Sequence, residues 1–181
     1  MNNGERLQDL ISIANAAGFD KCAPVASEQI VFDTEFRKLC EINTCRNYGL
    51  NYMCPPHIGG ADECIAKVKE YAGGLIVQSI VQLEDSFDYD GMMSGQKTHD
   101  IRIKKTVQNL KGDKKYFFLG AGPCSLCGIC GSRDKLPCRS PLRAISSMEA
   151  HCIDVNKTIT NAGLKYNNGE ATMSYVGLVM L

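Results

Sequence analysis

The chain of 181 residues carries twenty basic and twenty acidic side chains, for a formal net charge of zero, with 44% hydrophobic and 22% charged residues. That is enough chain for one domain with a real core, and the balanced charge excludes a global field drawing in nucleic acid or an anionic membrane. The longest apolar runs, GLIVQSIVQL and SYVGLVML, are about half as long as a membrane-spanning helix requires. The opening MNNGERLQDL has no basic region followed by an apolar stretch. No signal peptide is therefore expected, and a reducing, cytoplasmic setting is. There, clustered members of the ten cysteines are expected as metal ligands and not as disulfides. No internal repeat, low-complexity tract or linker divides the chain, so residues 1–181 read as a single metal-binding domain.

In chain order, Leu7, Leu10, Ile11, Ala14 and Ala17 recur at helical spacing, and Gly18 is placed as a C-cap. FDKCAPVA, extending to EQIVF, reads as strand, and the Cys-, Asn-, Gly- and Pro-rich LCEINTCRNYGLNYMCPPHIGG as irregular. A helix is expected from an N-cap at Asp62 to Gly73-Gly74, followed by the β-branched strand GLIVQSIVQL. The acidic loop EDSFDYDGMMSG should lead into a helix bearing Ile103, Val107 and Leu110 on one face, then strand YFFLG. Ser140 as N-cap with Pro141 at the first position predicts another helix. Asp154 to Ala162 predicts one more, closed by Gly163. TMSYVGLVML, apolar without alternation, reads as a final strand covered on both faces. Helices alternating with strands define an α/β layered fold with a mostly parallel or mixed sheet. Both cysteine-rich segments are expected beyond strand ends, as two loops at one sheet edge, where α/β folds build their sites.

GPCSLCGICGSRDKLPCRSP places Cys124, Cys127, Cys130 and Cys138 in a Cys-x2-Cys-x2-Cys-x7-Cys run. Thiolates at i, i+3 and i+6 can wrap three corners of an iron–sulfur cubane, with the fourth supplied beside a proline, as in the bacterial ferredoxin run. There the fourth cysteine ligates a different cluster, so the partner of Cys138 stays open. Zinc is the main rival. Structural zinc sites split their ligands into two Cys-x2–4-Cys pairs, which three evenly spaced cysteines match less well. The Cys-x3-Cys-x2-Cys run of radical-generating enzymes is absent.

A second group is Cys40-x4-Cys45-x8-Cys54, in a segment whose Asn, Gly and Pro suit a loop wrapped around a bound group. Its fourth ligand is open: Cys64, His57, Cys22 and Cys152 are candidates, as is an iron left free for substrate. Taken alone, Cys22, Cys64 and Cys152 suit a core. His57, His99 and His151 are scattered and suit structural roles.

Arg133, Lys135, Arg139 and Arg143 surround the Cys124–Cys138 group, either stabilising a negatively charged cluster or forming an ordinary solvated patch. Gly122, Gly128 and Gly131 would let backbone N–H groups approach sulfur. Glu84, Asp85, Asp88 and Asp90 match no calcium loop. No Gly-x-Gly-x-x-Gly or Walker sequence supports a nucleotide site, which leaves a flavin open.

CRNYGLNYMCPP, GPCSLCGIC with PCRSP, SMEAHCIDVNKT and YVGLVML, in this order, resemble the predicted metal-binding family called domain of unknown function 2284, from about Phe36 to Leu181. The resemblance implies an iron–sulfur or other metal-binding protein of anaerobic bacteria and archaea, without a settled reaction. It maps ligand positions onto Cys40, Cys45, Cys54, Cys124, Cys127, Cys130 and Cys138. The family pattern has Gly where this chain has Arg46, Trp at Tyr52 and Gly at Cys152; none of these removes a ligand position.

The expected function is binding of one or two [4Fe-4S] clusters, with electron transfer to an unidentified redox partner in anaerobic metabolism. Two alternatives stand beside it. One is an enzyme in which Cys40, Cys45 and Cys54 hold a cluster whose open iron acts as Lewis acid on a small molecule. The other is a zinc-stabilised module without redox activity.

Overall fold

A computed structural model describes residues 2–110 and 116–181. Helix α1 (Asn3–Ala17) begins with a capping box between Asn2 and Glu5 and ends at Gly18, whose φ of 94° is left-handed. Strand β1 (Lys21–Ala26) follows, then a short helix α2 (Glu35–Ile42) and helix α3 (Ala61–Lys69). Strand β2 (Gly73–Gln82) leads to the long helix α4 (Tyr89–Asn109), and β3 (Phe117–Gly120) and β4 (Ile145–Ser147) are short. Helix α5 (Val155–Asn161) is capped by Asp154, and β5 (Thr172–Met180) completes the sheet.

The five strands lie in the order β1-β2-β5-β3-β4. Three pairings are antiparallel and only β3–β4 is parallel, so the sheet is mixed. Alternation along the strands divides the core between two faces. Leu75 and Val77 of β2 and Val179 of β5 meet Leu10 and Ala14 of α1 and Ile103 and Val107 of α4. On the opposite face Ile76, Val176, Leu178 and Met180 pack with Val68 of α3 and Ile159 of α5. The final strand is thus covered on both sides at its C-terminal half, as its unbroken apolar run predicts.

Four local expectations are revised. Only the end of EQIVF contributes to pairing, through an isolated bridge from Phe32 to Ile153. Gly60, not Asp62, caps α3, its N–H bonded to the Glu63 carboxylate at 2.6 Å. Helix α4 starts inside the acidic stretch, because the Asp88 carboxylate accepts the Gly91 N–H at 2.8 Å and caps it early. The helix expected after Ser140 does not form: residues 141–143 make a turn, and Ile145–Ser147 pair with Phe118–Gly120 instead. Buried pairing at Ile145 and Ser146 outweighs a local Ser-Pro start signal.

Candidate metal centre

The parallel β3–β4 pair positions the centre. Both strands end at the same edge of the sheet, and the chain leaving each one turns into a cysteine-bearing or cavity-lining loop. The Cys124–Cys138 segment leaves β3 directly, as expected. The Cys40–Cys54 segment arrives by a different route: Cys40 sits in the last turn of α2, and the following loop is laid across the ends of β3 and β4. The Ser146 hydroxyl fixes it there by donating to the Met53 carbonyl at 2.7 Å. The two segments meet where the Asn51 amide donates to the Cys124 carbonyl at 3.0 Å and the Tyr52 N–H points at Cys130 Sγ at 3.5 Å.

Cys124, Cys127, Cys130 and Cys138 line one tight cavity of about 20 Å³, the volume of roughly one water. All four expected thiols of this run are therefore neighbours, Cys138 included. The first three also face an open cleft of about 240 Å³ beside Asn51 and Arg133, which Cys138 does not reach. Gly131 makes the closure possible. A Cβ there would stand 2.8 Å from the Leu136 carbonyl oxygen and 3.0 Å from that of Pro137, so only glycine lets the Cys138 strand pass so close. Burial raises the Cys130 pKa, but the Ser132 hydroxyl, N–H groups of Ser132 and Tyr52, and the Arg133 charge outweigh it and bring the thiol below its ordinary value. Burial pushes Cys124 up, against N–H bonds from Ile145 and Leu126.

Cys40, Cys45 and Cys54 line a larger cavity, about 390 Å³, together with Gly122 and Pro123 beyond β3, Ser147 at the end of β4 and Glu149 just after it. Cys54 is buried and Cys45 exposed. Burial pushes the Cys54 thiol up to about 12, reinforced by Cys45, Cys40, Cys124 and Cys130. Cys54 thus feels both cysteine groups. Cys40 is raised by burial, with Arg37 opposing and Glu149 adding to the rise. The Glu149 carboxyl is also raised by burial, although its own N–H and the Ser147 hydroxyl bond to it.

The other candidates lie elsewhere. Cys22 is in β1 against the α1–α4 face, with burial raising its pKa to about 11. Cys64 is buried in α3 and Cys152 is fully buried at a left-handed position, φ 59°. His57 bonds the Gly49 carbonyl at 3.0 Å, and neither it nor these three cysteines line the 390 Å³ cavity. His99 and His151 are buried, and burial lowers both to about 4. Arg133, Lys135, Arg139 and Arg143 are all exposed. Asp85 and Asp88 serve as local turn and helix caps, accepting from the Phe87 and Gly91 N–H groups.

Sequence reasoning missed two participants. Arg37 is buried and donates to the Ala150 carbonyl at 2.7 Å, the Gly59 carbonyl at 2.5 Å and Cys64 Sγ at 3.2 Å. Glu149 enters the cavity only because β4 delivers it there. A buried cation and a buried acid in a cysteine-rich segment announce themselves only through tertiary placement.

Among the described residues, no three His, Cys, Asp or Glu side chains converge to hold a single metal ion. All ten cysteines are free thiols. Seven of them gathered at one sheet edge, facing adjoining cavities, form a soft donor set suited to zinc, iron–sulfur or other thiophilic metals.

The mixed sheet and its cysteine-lined edge define a cysteine-rich α/β protein. Residues 23–181 match the family model described as "Predicted metal-binding protein (DUF2284)", and the chain belongs to that family. No curated protein and no solved structure matches it. No helix among the described residues is long and apolar enough to cross a membrane.

Proposed function

We propose that the protein holds one or two [4Fe-4S] clusters on Cys124, Cys127, Cys130 and Cys138 and on Cys40, Cys45 and Cys54, and passes electrons to a partner. The observation that carries this is the adjacency of the two groups: just before Cys54, the Asn51 amide donates to the Cys124 carbonyl at 3.0 Å and the Tyr52 N–H points at Cys130 Sγ at 3.5 Å. A multi-iron cluster spreads its thiolates over separate corners. That suits Cys40, Cys45 and Cys54, spread around a space of about 390 Å³, better than does a lone zinc ion, which needs four ligands converging on one point.

When bound, a cluster would supply one-electron chemistry. The chain's own contribution is to set its potential. N–H donors to sulfur and nearby cations favour the reduced, more negative form, and here Tyr52 N–H, Ser132 and Arg133 all act on Cys130. The cleft leaves Cys127 and Cys130 accessible, as electron exchange with a partner requires. Ten free thiols suit a reducing compartment such as the cytoplasm.

A second function is favoured by one observation. The cavity at Cys40, Cys45 and Cys54 is roomy, and Leu39 and Ile42 beside it are 55% and 69% exposed. Such a space suits a small molecule approaching an iron that acts as Lewis acid. The discriminating experiment is EPR of anaerobically reconstituted protein with added substrate analogues. Perturbation of one cluster signal supports the enzyme; indifference of both supports electron transfer. Stoichiometric zinc with no acid-labile sulfide and no response to dithionite overturns both in favour of the zinc module.

A further inference from the structure

We infer that Glu149 is the fourth protein ligand of the Cys40–Cys45–Cys54 group, making that centre a three-thiolate, one-carboxylate site. The inference rests on the proposal that these three cysteines hold an iron–sulfur cluster.

Three thiols leave one corner of a cubane unassigned. The four residues that sequence spacing offers for it, Cys22, His57, Cys64 and Cys152, do not line the cavity. Cys22 faces the α1–α4 core, Cys64 is occupied by Arg37 and the Ile58 carbonyl, and His57 by the Gly49 carbonyl. Among the described residues, Glu149 is the sole carboxylate on the cavity wall, and no histidine lines it. It lies in the short 3-10 turn Glu149–His151 immediately after β4, and β4 is held parallel to β3. The same pair of strand ends therefore presents Glu149 and the Gly122–Pro123 wall to the three thiols.

No Lys, Arg or His pairs with Glu149 among the described residues. Leaving a carboxylate half-buried beside thiols without a cation is unfavourable, because buried charges are paired or coordinate metals. A bound iron supplies the missing positive charge. Carboxylate oxygen is a harder donor than thiolate sulfur, so this corner is the one that an exogenous oxygen or nitrogen donor exchanges most readily. The cavity and its exposed mouth give such a donor room.

The test uses the full chain, reconstituted anaerobically with ferrous iron and sulfide. Iron and acid-labile sulfide per chain, EPR after dithionite, and the rate of iron loss to a chelator are measured for wild type, Glu149→Gln, Glu149→Asp, Glu149→Cys and Cys45→Ser. The inference predicts a changed EPR signal for one cluster in Glu149→Gln and Glu149→Asp. It also predicts that Glu149→Gln loses that iron at least about 10-fold faster, the least that losing a direct ligand should cost when second-shell changes already cost this much. Glu149→Cys should retain iron at wild-type level with an altered, all-thiolate signal. Unchanged EPR and iron loss in all three Glu149 variants overturn the inference while leaving the cluster in place. Wild-type iron content and spectra in Cys45→Ser show that the first group holds no cluster, and overturn the underlying proposal together with the inference. Far-UV circular dichroism checks that each variant folds, and Glu149→Asp keeps the charge should Glu149→Gln fail that check.

Discussion

Arg37 ties three segments together around the centre: α2, which carries it, the Gly59 turn before α3, and the turn at Ala150. Its guanidinium is always charged, is 8% exposed, and has no carboxylate partner among the described residues. Replacing it with Met keeps the stem but leaves one buried and one partly buried carbonyl without donors. Arg37→Met should therefore destabilise the protein by roughly 3 kcal/mol, read as a lower urea midpoint; a loss below about 1 kcal/mol contradicts the role. Arg46 makes the opposite case. Its φ is 56°, a left-handed conformation costing an ordinary residue about 1–2 kcal/mol, part of which glycine returns as backbone entropy. Arg46→Gly should raise stability by up to about 1 kcal/mol without altering metal content. Arg46 and Cys152 are both left-handed, a conformation that glycine adopts at least cost.

At the scale of elements, α4 is held to the sheet partly through His99, whose ring bonds the Ser79 hydroxyl at 2.9 Å and meets Phe19 edge-on. Burial, with Arg102 adding, lowers its pKa from 6.5 to about 4. Between those values the unfolded chain binds a proton that the folded one does not, so stability is complete above pH 6.5 and falls as pH drops toward 4. The loss is on the order of 3 kcal/mol. His151, packed edge-on against Phe117, has the same sign and window. Urea midpoints at pH 7 and pH 4.5 should differ accordingly, and His99→Gln should reduce the difference; an unaltered pH slope contradicts this. Pairing of β2 with β5 is equally specific. A Cβ on Gly74 would stand 2.4 Å from the Val179 carbonyl oxygen, so Gly74→Ala should cost about 1–3 kcal/mol in thermal or urea unfolding.

Elements with strong periodicity or clear caps were legible in the sequence. Gly18 closes α1, Asp154 starts α5, and the apolar runs of β2 and β5 are the central strands. Elements decided by tertiary pairing were not. Ser140-Pro141 promised a helix, yet Ile145 and Ser146 are claimed by β3, and α2 is a short amphiphilic helix of about two turns at the start of a segment rich in loop residues. The site divides in the same way. Seven cysteines stand out by spacing, whereas Glu149 and Arg37, although Arg37 is only three residues before Cys40, belong to no ligand spacing and are placed by the β4 edge and by α2.

For the whole molecule, the central matter is that two cysteine groups share one edge of a mixed sheet. Burial of Cys54 among four other thiols raises its pKa, so assembly of the proposed cluster must displace protons. It should therefore proceed faster at pH 8 than at pH 6.5, as followed by visible absorbance. The most direct measurement is iron, zinc and acid-labile sulfide analysis of anaerobically purified protein, with visible and EPR spectra before and after dithionite. The account predicts a brown protein with iron and sulfide in equal amounts, bleached on reduction, whose content falls in Cys127→Ser and in Cys45→Ser. A colourless protein with zinc, no sulfide and no spectral response to dithionite would contradict it.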